Sequence, residues 1–167
     1  SGKTELYLRA MAQVLAAGKS AIYLIPEIAL TPQAIDRVRE RFGEAVAVWH
    51  SRLTPRQRSR EWSRLVLGSV RIVVGARSAV FAPLPRLGLI VMDEEQEATY
   101  KQEDAPRYHA REVALARAKL VGATVVFGSA TPSIELYHAA MTGAVRLVEL
   151  PERIEGRALP AVEIIDM

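Results

Sequence analysis

The sequence predicts an α/β fold in which a mainly parallel sheet has helices on both faces. Short apolar runs such as 20–25 suit strands that are buried on both sides of a sheet. Segments with helical periodicity alternate with these runs along the chain. Strands that alternate with helices form crossover units, and such units build a parallel sheet. The length of 167 residues fits one domain or at most two.

Each element has its own pattern, taken here in chain order. Apolar residues recur at helical spacing from Tyr7 to Leu15, which predicts a first helix that ends at Gly18. Strands are then expected at 20–25, 45–49, 70–74, 87–92, 123–127 and 145–150, and further helices at 31–42, 54–67, 109–120 and 132–142.

Three of these helix starts share a Thr-Pro pair, in which a capping hydroxyl precedes a proline suited to the first helical position. The pairs are Thr31-Pro32, Thr54-Pro55 and Thr131-Pro132. At the second pair, Gln57 stands three residues after the threonine, which predicts a capping box.

The composition excludes several classes of protein. There is no cysteine, so a disulfide scaffold, a cysteine nucleophile, a zinc finger and an iron–sulfur site are excluded from this sequence. The apolar runs are too short to span a bilayer, and the N-terminus does not resemble a signal peptide, so we expect no membrane association. The net charge of +3 is compatible with nucleic acid but does not indicate it.

The first motif is Ser1-Gly2-Lys3-Thr4, which matches the second half of the phosphate-binding loop G-x-x-x-x-G-K-[ST]. In such a loop the backbone and the lysine hold phosphates, and the threonine hydroxyl ligates magnesium. We therefore expect all four residues to bind ATP, with Lys3 also catalytic and Thr4 a magnesium ligand. The first half of the loop and the strand before it would precede Ser1.

The second motif is Asp93-Glu94-Glu95-Gln96, which directly follows the apolar run 87–92. An aspartate at the end of a parallel strand is placed to hold magnesium, and the adjacent Glu94 can polarise an attacking water. The alternative is a solvated acidic turn. The phosphate loop upstream in the same alternating pattern favours the catalytic interpretation, with Asp93, Glu94 and Gln96 as its residues.

The third motif is Gly128-Ser129-Ala130-Thr131-Pro132, which follows the apolar run 124–127. Its simplest interpretation is a loop between a strand and a helix that Thr131 caps. The hydroxyls of Ser129 and Thr131 can also hydrogen-bond the acidic motif, so we expect both residues to couple the nucleotide site to a second site.

Together the three motifs, in this order, resemble motifs I, II and III of superfamily 2 helicases. The resemblance narrows to the PriA family of primosomal replication-restart DNA helicases, also called primosomal protein N′. Residues 23–33 look like its motif Ia, residues 74–83 like its motif Ib, and residues 100–104 with 106–111 like its aromatic-rich loop. The resemblance covers the whole chain and implies a RecA-like P-loop NTPase domain. One difference is Gln96, where the family pattern has histidine.

The resemblance also implies contacts with DNA, through loops that hold a single strand by its phosphates. Tyrosines of the aromatic-rich loop can stack on bases, and its basic residues can neutralise phosphates. The residues implied are Glu27, Thr31, Arg77, Ser78, Tyr100, Lys101, Arg107, Tyr108 and Arg111. Two alternatives stay open: Arg77 as a solvated loop arginine, and Tyr108 with His109 as residues that fix the following helix to the sheet.

The domain organisation implied is a first motor lobe at 1–150, lacking its first strand and half of the phosphate loop. A linker and the start of a second lobe would occupy 151–167. The expected cofactors are ATP and magnesium, with zinc held elsewhere in the full-length family. The expected partners are single-stranded and forked DNA, single-stranded-DNA-binding protein and primosome proteins, in the cytoplasm of a bacterium and associated with its nucleoid.

The leading hypothesis is thus an ATP-driven 3′-to-5′ DNA helicase that remodels forks and assists primosome assembly. The isolated segment is expected to be inactive, because the second lobe completes the ATP site. A DNA-structure binder with a decayed motor is the second hypothesis, and the intact motif residues argue against it. A small P-loop kinase is the third, and it leaves the third motif unexplained.

Overall fold

A computed structural model describes residues 2–150 of the chain. Five helices, α1 to α5, occupy Lys3–Ala16, Pro32–Phe42, Pro55–Val66, Ala110–Val121 and Ile134–Met141. Seven strands, β1 to β7, occupy Ser20–Leu24, Val46–Trp49, Ile72–Gly75, Leu87–Asp93, Lys101–Gln102, Tyr108–His109 and Thr124–Gly128. The predicted linker and second lobe at 151–167 lie outside the described residues, as does Ser1.

Five of the strands form one parallel sheet in the order β2-β3-β1-β4-β7. β1 lies at its centre, where Tyr23 is paired with Val74 of β3 and with Val91 of β4. The strands β5 and β6 form a separate antiparallel pair that the sequence did not indicate. The parallel sheet with its connecting helices confirms the predicted α/β class.

The core has two layers, one on each face of the sheet. Alternate residues of β1 point to opposite faces, so Tyr23 packs with Met11 of α1 and Val38 of α2, whereas Ile22 packs with Leu65 of α3 and Ala114 of α4. The helices therefore cover both faces, which explains why every residue of β1 is buried.

Two of the three predicted caps are confirmed. Thr31 accepts a hydrogen bond from the backbone N–H of Ala34, and Thr54 forms the complete capping box with Gln57. The third is wrong: α5 begins two residues later than expected, and Ser133 caps it by accepting from the N–H of Leu136. The reason is the buried carboxylate of Glu95, which accepts a hydrogen bond from the backbone N–H of Ser133.

The strand predicted at 145–150 is also wrong. The N–H of Val145 donates to the carbonyl of Ala139 at 3.1 Å, which folds the chain back against the end of α5. The apolar side chains that suggested a strand, Leu147, Val148 and Leu150, are exposed. Apolar composition alone does not make a strand, and within residues 2–150 no strand pairs with this run. Among the described residues, no helix is both long and apolar enough to cross a membrane.

The topology brings the ends of the parallel strands together at one edge of the sheet. Since the strands run in the same direction, the loops after β1, β2, β3, β4 and β7 all leave from that edge. Ligands of open parallel sheets bind at this carboxyl edge. We refer to it below as the carboxyl edge.

Candidate nucleotide and nucleic-acid site

The N-terminal end of α1 reaches the acidic motif at the carboxyl edge. The Nζ atom of Lys3 lies 2.6 Å from Oε1 of Glu94, although 91 positions separate the two residues. Gly2 precedes the first turn of α1 and Thr4 lies within it. The fold therefore places the positive end of a helix, with its lysine, beside the carboxylates that end β4.

A chain of hydrogen bonds continues from Glu94 to the third motif. The side-chain amide of Gln96 donates to Oε2 of Glu94 at 3.0 Å, and the hydroxyl of Ser129 donates to Oε1 of Gln96 at 2.6 Å. Ser129 in turn accepts from the backbone N–H of Thr131 at 2.9 Å. Side chains of all three motifs are thus connected in a single network.

Glu94 is held in an unusual position. Its φ of 46° lies in the left-handed region, which non-glycine residues seldom adopt and which occurs preferentially at functional sites. Burial opposes its charge, but the hydrogen bond from Gln96 and the ammonium of Lys3 outweigh burial and lower the pKa of Glu94 below its ordinary value. Glu94 therefore stays ionised near neutral pH.

Asp93 is surrounded by three tyrosines, none of which the sequence motifs placed at the nucleotide site. The hydroxyls of Tyr7 and Tyr23 donate to Oδ1 and Oδ2 of its carboxylate at 3.0 and 3.4 Å, and Tyr100 donates to its backbone carbonyl at 2.7 Å. Burial raises the pKa of Asp93, against the opposing effects of the Tyr7 hydrogen bond and the Lys3 charge. Burial and the charge of Asp93 raise the pKa values of Tyr7 and Tyr23, so both stay protonated donors.

Gly128, at the end of β7, makes room for this arrangement. A Cβ atom at this position would lie 1.5 Å from the hydroxyl oxygen of Tyr7 and 3.3 Å from Oδ1 of Asp93. Any larger residue would displace Tyr7 from the carboxylate. In the sequence, the glycine directly before Ser129 is the one signal that could have indicated this close approach.

The donor atoms at this edge fit a magnesium–nucleotide complex. The hydroxyl of Thr4 and the carboxylate of Asp93 are oxygen ligands of the kind that magnesium prefers, and magnesium keeps several waters and phosphate oxygens in such sites. Within residues 2–150 no cluster of three or more His, Asp or Glu side chains could hold a metal ion by itself. A magnesium site of this kind needs no such cluster, because two protein ligands are enough when phosphate oxygens and waters supply the others.

The third acidic residue of the motif, Glu95, has a different environment. Its side chain is fully buried and accepts from the backbone N–H of Ser133 at 2.6 Å, from its hydroxyl at 3.0 Å, and from Arg111 at 3.3 Å. Arg111 lies in the first turn of α4 and is the last residue of the predicted aromatic-rich loop, and Ser133 caps α5. Glu95 therefore joins the acidic motif to both helices.

Arg77 is fixed to the predicted aromatic-rich loop. Its guanidinium donates to the carbonyl of Thr99 at 3.1 Å, and to the carbonyl of Lys101 and the side chain of Gln102. It also lies 5.8 Å from the ring centroid of Tyr108, within the range of a cation–π contact. Two sequence motifs predicted to contact DNA therefore lie side by side.

Two residues predicted to contact DNA are placed otherwise. Tyr100 is completely buried, so its ring has no face open to a base, and that prediction is wrong. The side chain of Arg111 is 16% exposed and its charge is paired with the buried Glu95, so a phosphate-neutralising role for Arg111 is not supported. In both cases the sequence showed an aromatic or basic residue in a polar stretch, but not the partner that draws it inside.

The remaining predicted DNA-contact residues lie on the surface. Glu27 is exposed in the loop after β1 and accepts a hydrogen bond from Ser51, and Thr31 lies at the end of the same loop. Ser78, Lys101 and Arg107 are exposed as well. Their contacts with DNA stay predictions.

Comparison of the sequence with known proteins matches the chain to helicases. The sequence profile described as DEAD/DEAH box helicase matches residues 1–139. The chain is 52% identical over 167 residues to the replication restart protein PriA of Bacillus subtilis (strain 168), and 53% identical over 167 residues to that of Treponema pallidum (strain Nichols). These alignments cover 100% of this chain but only 21% and 25% of the two relatives.

Solved structures show the same fold. The structure of RecG bound to a three-way DNA junction matches 95% of this chain and 20% of that chain, with a TM-score of 0.66 and 22% identity. The DUF1998 helicase MrfA matches 90% of this chain and 26% of that chain, with a TM-score of 0.56 and 23% identity. With the parallel five-stranded sheet, these likenesses confirm the predicted RecA-like fold.

Proposed function

Because the chain belongs to the DEAD/DEAH box helicase family, we propose that it is the first motor lobe of an ATP-dependent 3′-to-5′ DNA helicase of replication restart. The chain spans about a fifth to a quarter of the length of its PriA relatives, so the activity of the whole protein is part of this proposal. The observation that carries it is the network from Lys3 through Glu94 and Gln96 to Ser129.

In this proposal the N-terminal end of α1 binds the phosphates of ATP. Ser1, Gly2, Lys3 and Thr4 surround them, and Thr4 and Asp93 hold magnesium, which supplies neutralising charge when bound. Tyr7 and Tyr23 keep the carboxylate of Asp93 in one orientation, since each of its oxygens accepts one of their hydroxyls. A fixed carboxylate is what positioning of a reacting phosphate requires.

Glu94 is the proposed general base toward water. A phosphate group attracts the ammonium of Lys3 more strongly than one carboxylate does, because it carries more charge. We expect Lys3 to exchange its ion pair with Glu94 for the phosphates, which frees Oε1 of Glu94 to accept a proton. Gln96 keeps Oε2 of Glu94 in place and passes the change to Ser129.

The proposed DNA track runs along the carboxyl edge, from the predicted aromatic-rich loop to the loop after β1. Arg77, Tyr108, Lys101 and Arg107 lie at one part of this track, and Glu27, Thr31 and Ser78 are its other proposed contacts. Arg77 connects the two predicted DNA-contact motifs, which supports a path for single-stranded DNA across both of them.

The rest of the proposed machine lies outside the residues described. A second lobe would complete the ATP site, and a zinc module and a fork-binding domain would belong to other segments. Single-stranded-DNA-binding protein and primosome proteins are the proposed protein partners. A bacterial cytoplasm, in association with the nucleoid, is the proposed location. Isolated 1–167 is proposed to have no ATPase activity, because in this proposal a second lobe supplies half of the ATP cleft.

The proposal is tested by displacement of streptavidin from single-stranded DNA carrying biotin at one end, with a full-length protein that contains this chain and with ATP. Movement from 3′ to 5′ displaces streptavidin from the 5′ end. Displacement from the 3′ end would contradict the direction. Tight fork binding without any ATP hydrolysis would favour the non-hydrolysing DNA binder instead.

A further inference from the structure

A second exposed aromatic and basic surface lies at the outer end of the carboxyl edge. Trp49 ends β2 and Trp62 lies on α3, with their ring centroids 6.1 Å apart at an interplanar angle of 50°. Trp62 is 48% exposed, although it stands at helical spacing from the buried Leu65. The two rings line an open groove of about 450 Å³, the Trp62 groove, together with Leu53, Pro55, Arg58 and Ser59.

The surroundings of the Trp62 groove are strongly basic. The segment 50–64 contains five arginines and one glutamate, in a chain whose whole net charge is +3. The four arginines at its exposed positions are Arg52, Arg56, Arg58 and Arg60. None of these four forms an ion pair within residues 2–150. An uncompensated positive surface around an open aromatic ring is complementary to a single strand of nucleic acid, which offers phosphates and stacking bases.

The position of the groove continues the proposed DNA track. The loop between β2 and α3 is tied to the loop after β1, because Ser51 donates to Glu27 and Arg52 donates to the carbonyl of Leu30 at 3.4 Å. β2 is the edge strand of the sheet, three strands away from β4 and the nucleotide site. A single strand of DNA that leaves the loop after β1 and runs toward β2 meets the Trp62 groove next.

We infer that the Trp62 groove is a contact site for single-stranded DNA, where one base stacks on Trp62 and Arg58 and its neighbours hold the adjacent phosphates. This inference rests on the proposed function, since it extends the same DNA track. The role of Trp62 is stacking, so the site is tolerant of sequence.

Tryptophan fluorescence can test this inference, because Trp49 and Trp62 are the only two tryptophans of the sequence. In Trp49→Phe, the tryptophan emission reports on Trp62 alone. We expect oligo(dT) to quench that emission, and an abasic oligonucleotide of the same length, which has phosphates but no bases, to leave it unchanged. Binding of both oligonucleotides is followed independently by the anisotropy of an attached fluorescein.

Affinity provides the second readout. Trp62→Leu should weaken binding of oligo(dT) about fivefold or more, whereas Trp62→Phe, which keeps an aromatic face, should retain most of it. Arg58→Gln should reduce the slope of log affinity against log salt by about 0.7. Arg39→Gln is the matched control, since Arg39 is exposed in the last turn of α2 and lies toward the opposite edge of the sheet. Circular dichroism checks that each variant is folded.

The outcomes separate the two proposals. Binding of oligo(dT) with unchanged Trp62 emission, and with full affinity in Trp62→Leu, would overturn the Trp62 groove as a DNA site and leave the proposed function standing. Failure of the folded chain to bind any oligonucleotide would overturn the groove and the DNA track of this lobe together.

Discussion

The hydroxyl of Tyr7 donates a hydrogen bond of 3.0 Å to Oδ1 of Asp93, across 86 positions of the chain. Tyr7 belongs to the helix that follows the phosphate-loop residues, and Asp93 ends the strand that leads into the acidic motif. The contact therefore links the element that would hold phosphate to the carboxylate that would hold magnesium. Gly128 leaves the space that this contact needs.

Tyr7→Phe should lower the free energy of unfolding by about 1.5–3 kcal/mol, because a hydrogen bond to a partly buried carboxylate is lost. Tyr23→Phe should cost less, since its hydroxyl lies 3.4 Å from Oδ2, at the long end of hydrogen-bond distances. Urea unfolding measures both values. An equal or larger cost for Tyr23→Phe would contradict this ranking.

Glu95→Ala should destabilise the chain by about 3 kcal/mol or more, because it leaves the Arg111 charge and the Ser133 donors without their buried partner. Glu112→Ala is the matched control, since Glu112 also approaches Arg111, at 3.6 Å, but its side chain is 70% exposed. Its cost in urea unfolding should be below about 0.5 kcal/mol. Similar costs for the two variants would show that Glu95 does not anchor the helices.

His109 should make stability depend on pH. Its Nδ1 atom accepts the N–H of Arg111 at the start of α4, and burial and the Arg111 charge lower the pKa of His109. A lowered pKa in the folded chain means that this stabilisation is complete above the unfolded pKa of about 6.5 and is lost as pH falls below it. His109→Asn keeps a capping oxygen without titrating, so its free energy of unfolding should decline less between about pH 7.5 and 5.5. An identical decline in the two proteins would count against this role.

Gln96 should be replaceable by histidine but not by alanine. Gln96→Ala breaks both bonds that join Glu94 to Ser129, and the lost positioning should reduce ATP hydrolysis by the full-length protein about 10- to 100-fold. Gln96→His still offers a donor and an acceptor, and we expect it to retain most of the rate. A fully active Gln96→Ala would remove Gln96 from the coupling network.

Much of the fold was predictable because its signals are local. Buried strands are recognisable as apolar runs in the sequence. Two helix starts were predictable from the threonine caps Thr31 and Thr54 and the residues that directly follow them. The third start was not predictable, since Glu95, 38 positions before Ser133, decides where α5 begins. The run at 145–150 failed as a strand because a strand also needs a partner, which composition does not reveal.

The candidate site was also predictable only in part. Lys3, Glu94, Gln96 and Ser129 stand in motifs whose residue types imply their chemistry, and the fold brings them into one network. Tyr7 and Tyr23 stand on apolar faces, where the pattern is equally satisfied by a core residue. Their hydroxyls acquire a role only once the strand ends and α1 come together in the fold.

The most direct test of the whole account is DNA-stimulated ATP hydrolysis by the full-length protein carrying Lys3→Ala. Lys119→Ala, in the last turn of α4 and exposed, is the matched control for loss of one lysine. We expect Lys3→Ala to abolish DNA-stimulated hydrolysis and Lys119→Ala to leave the rate unchanged. Undiminished hydrolysis by Lys3→Ala would contradict the assignment of the nucleotide site, and with it the motor function.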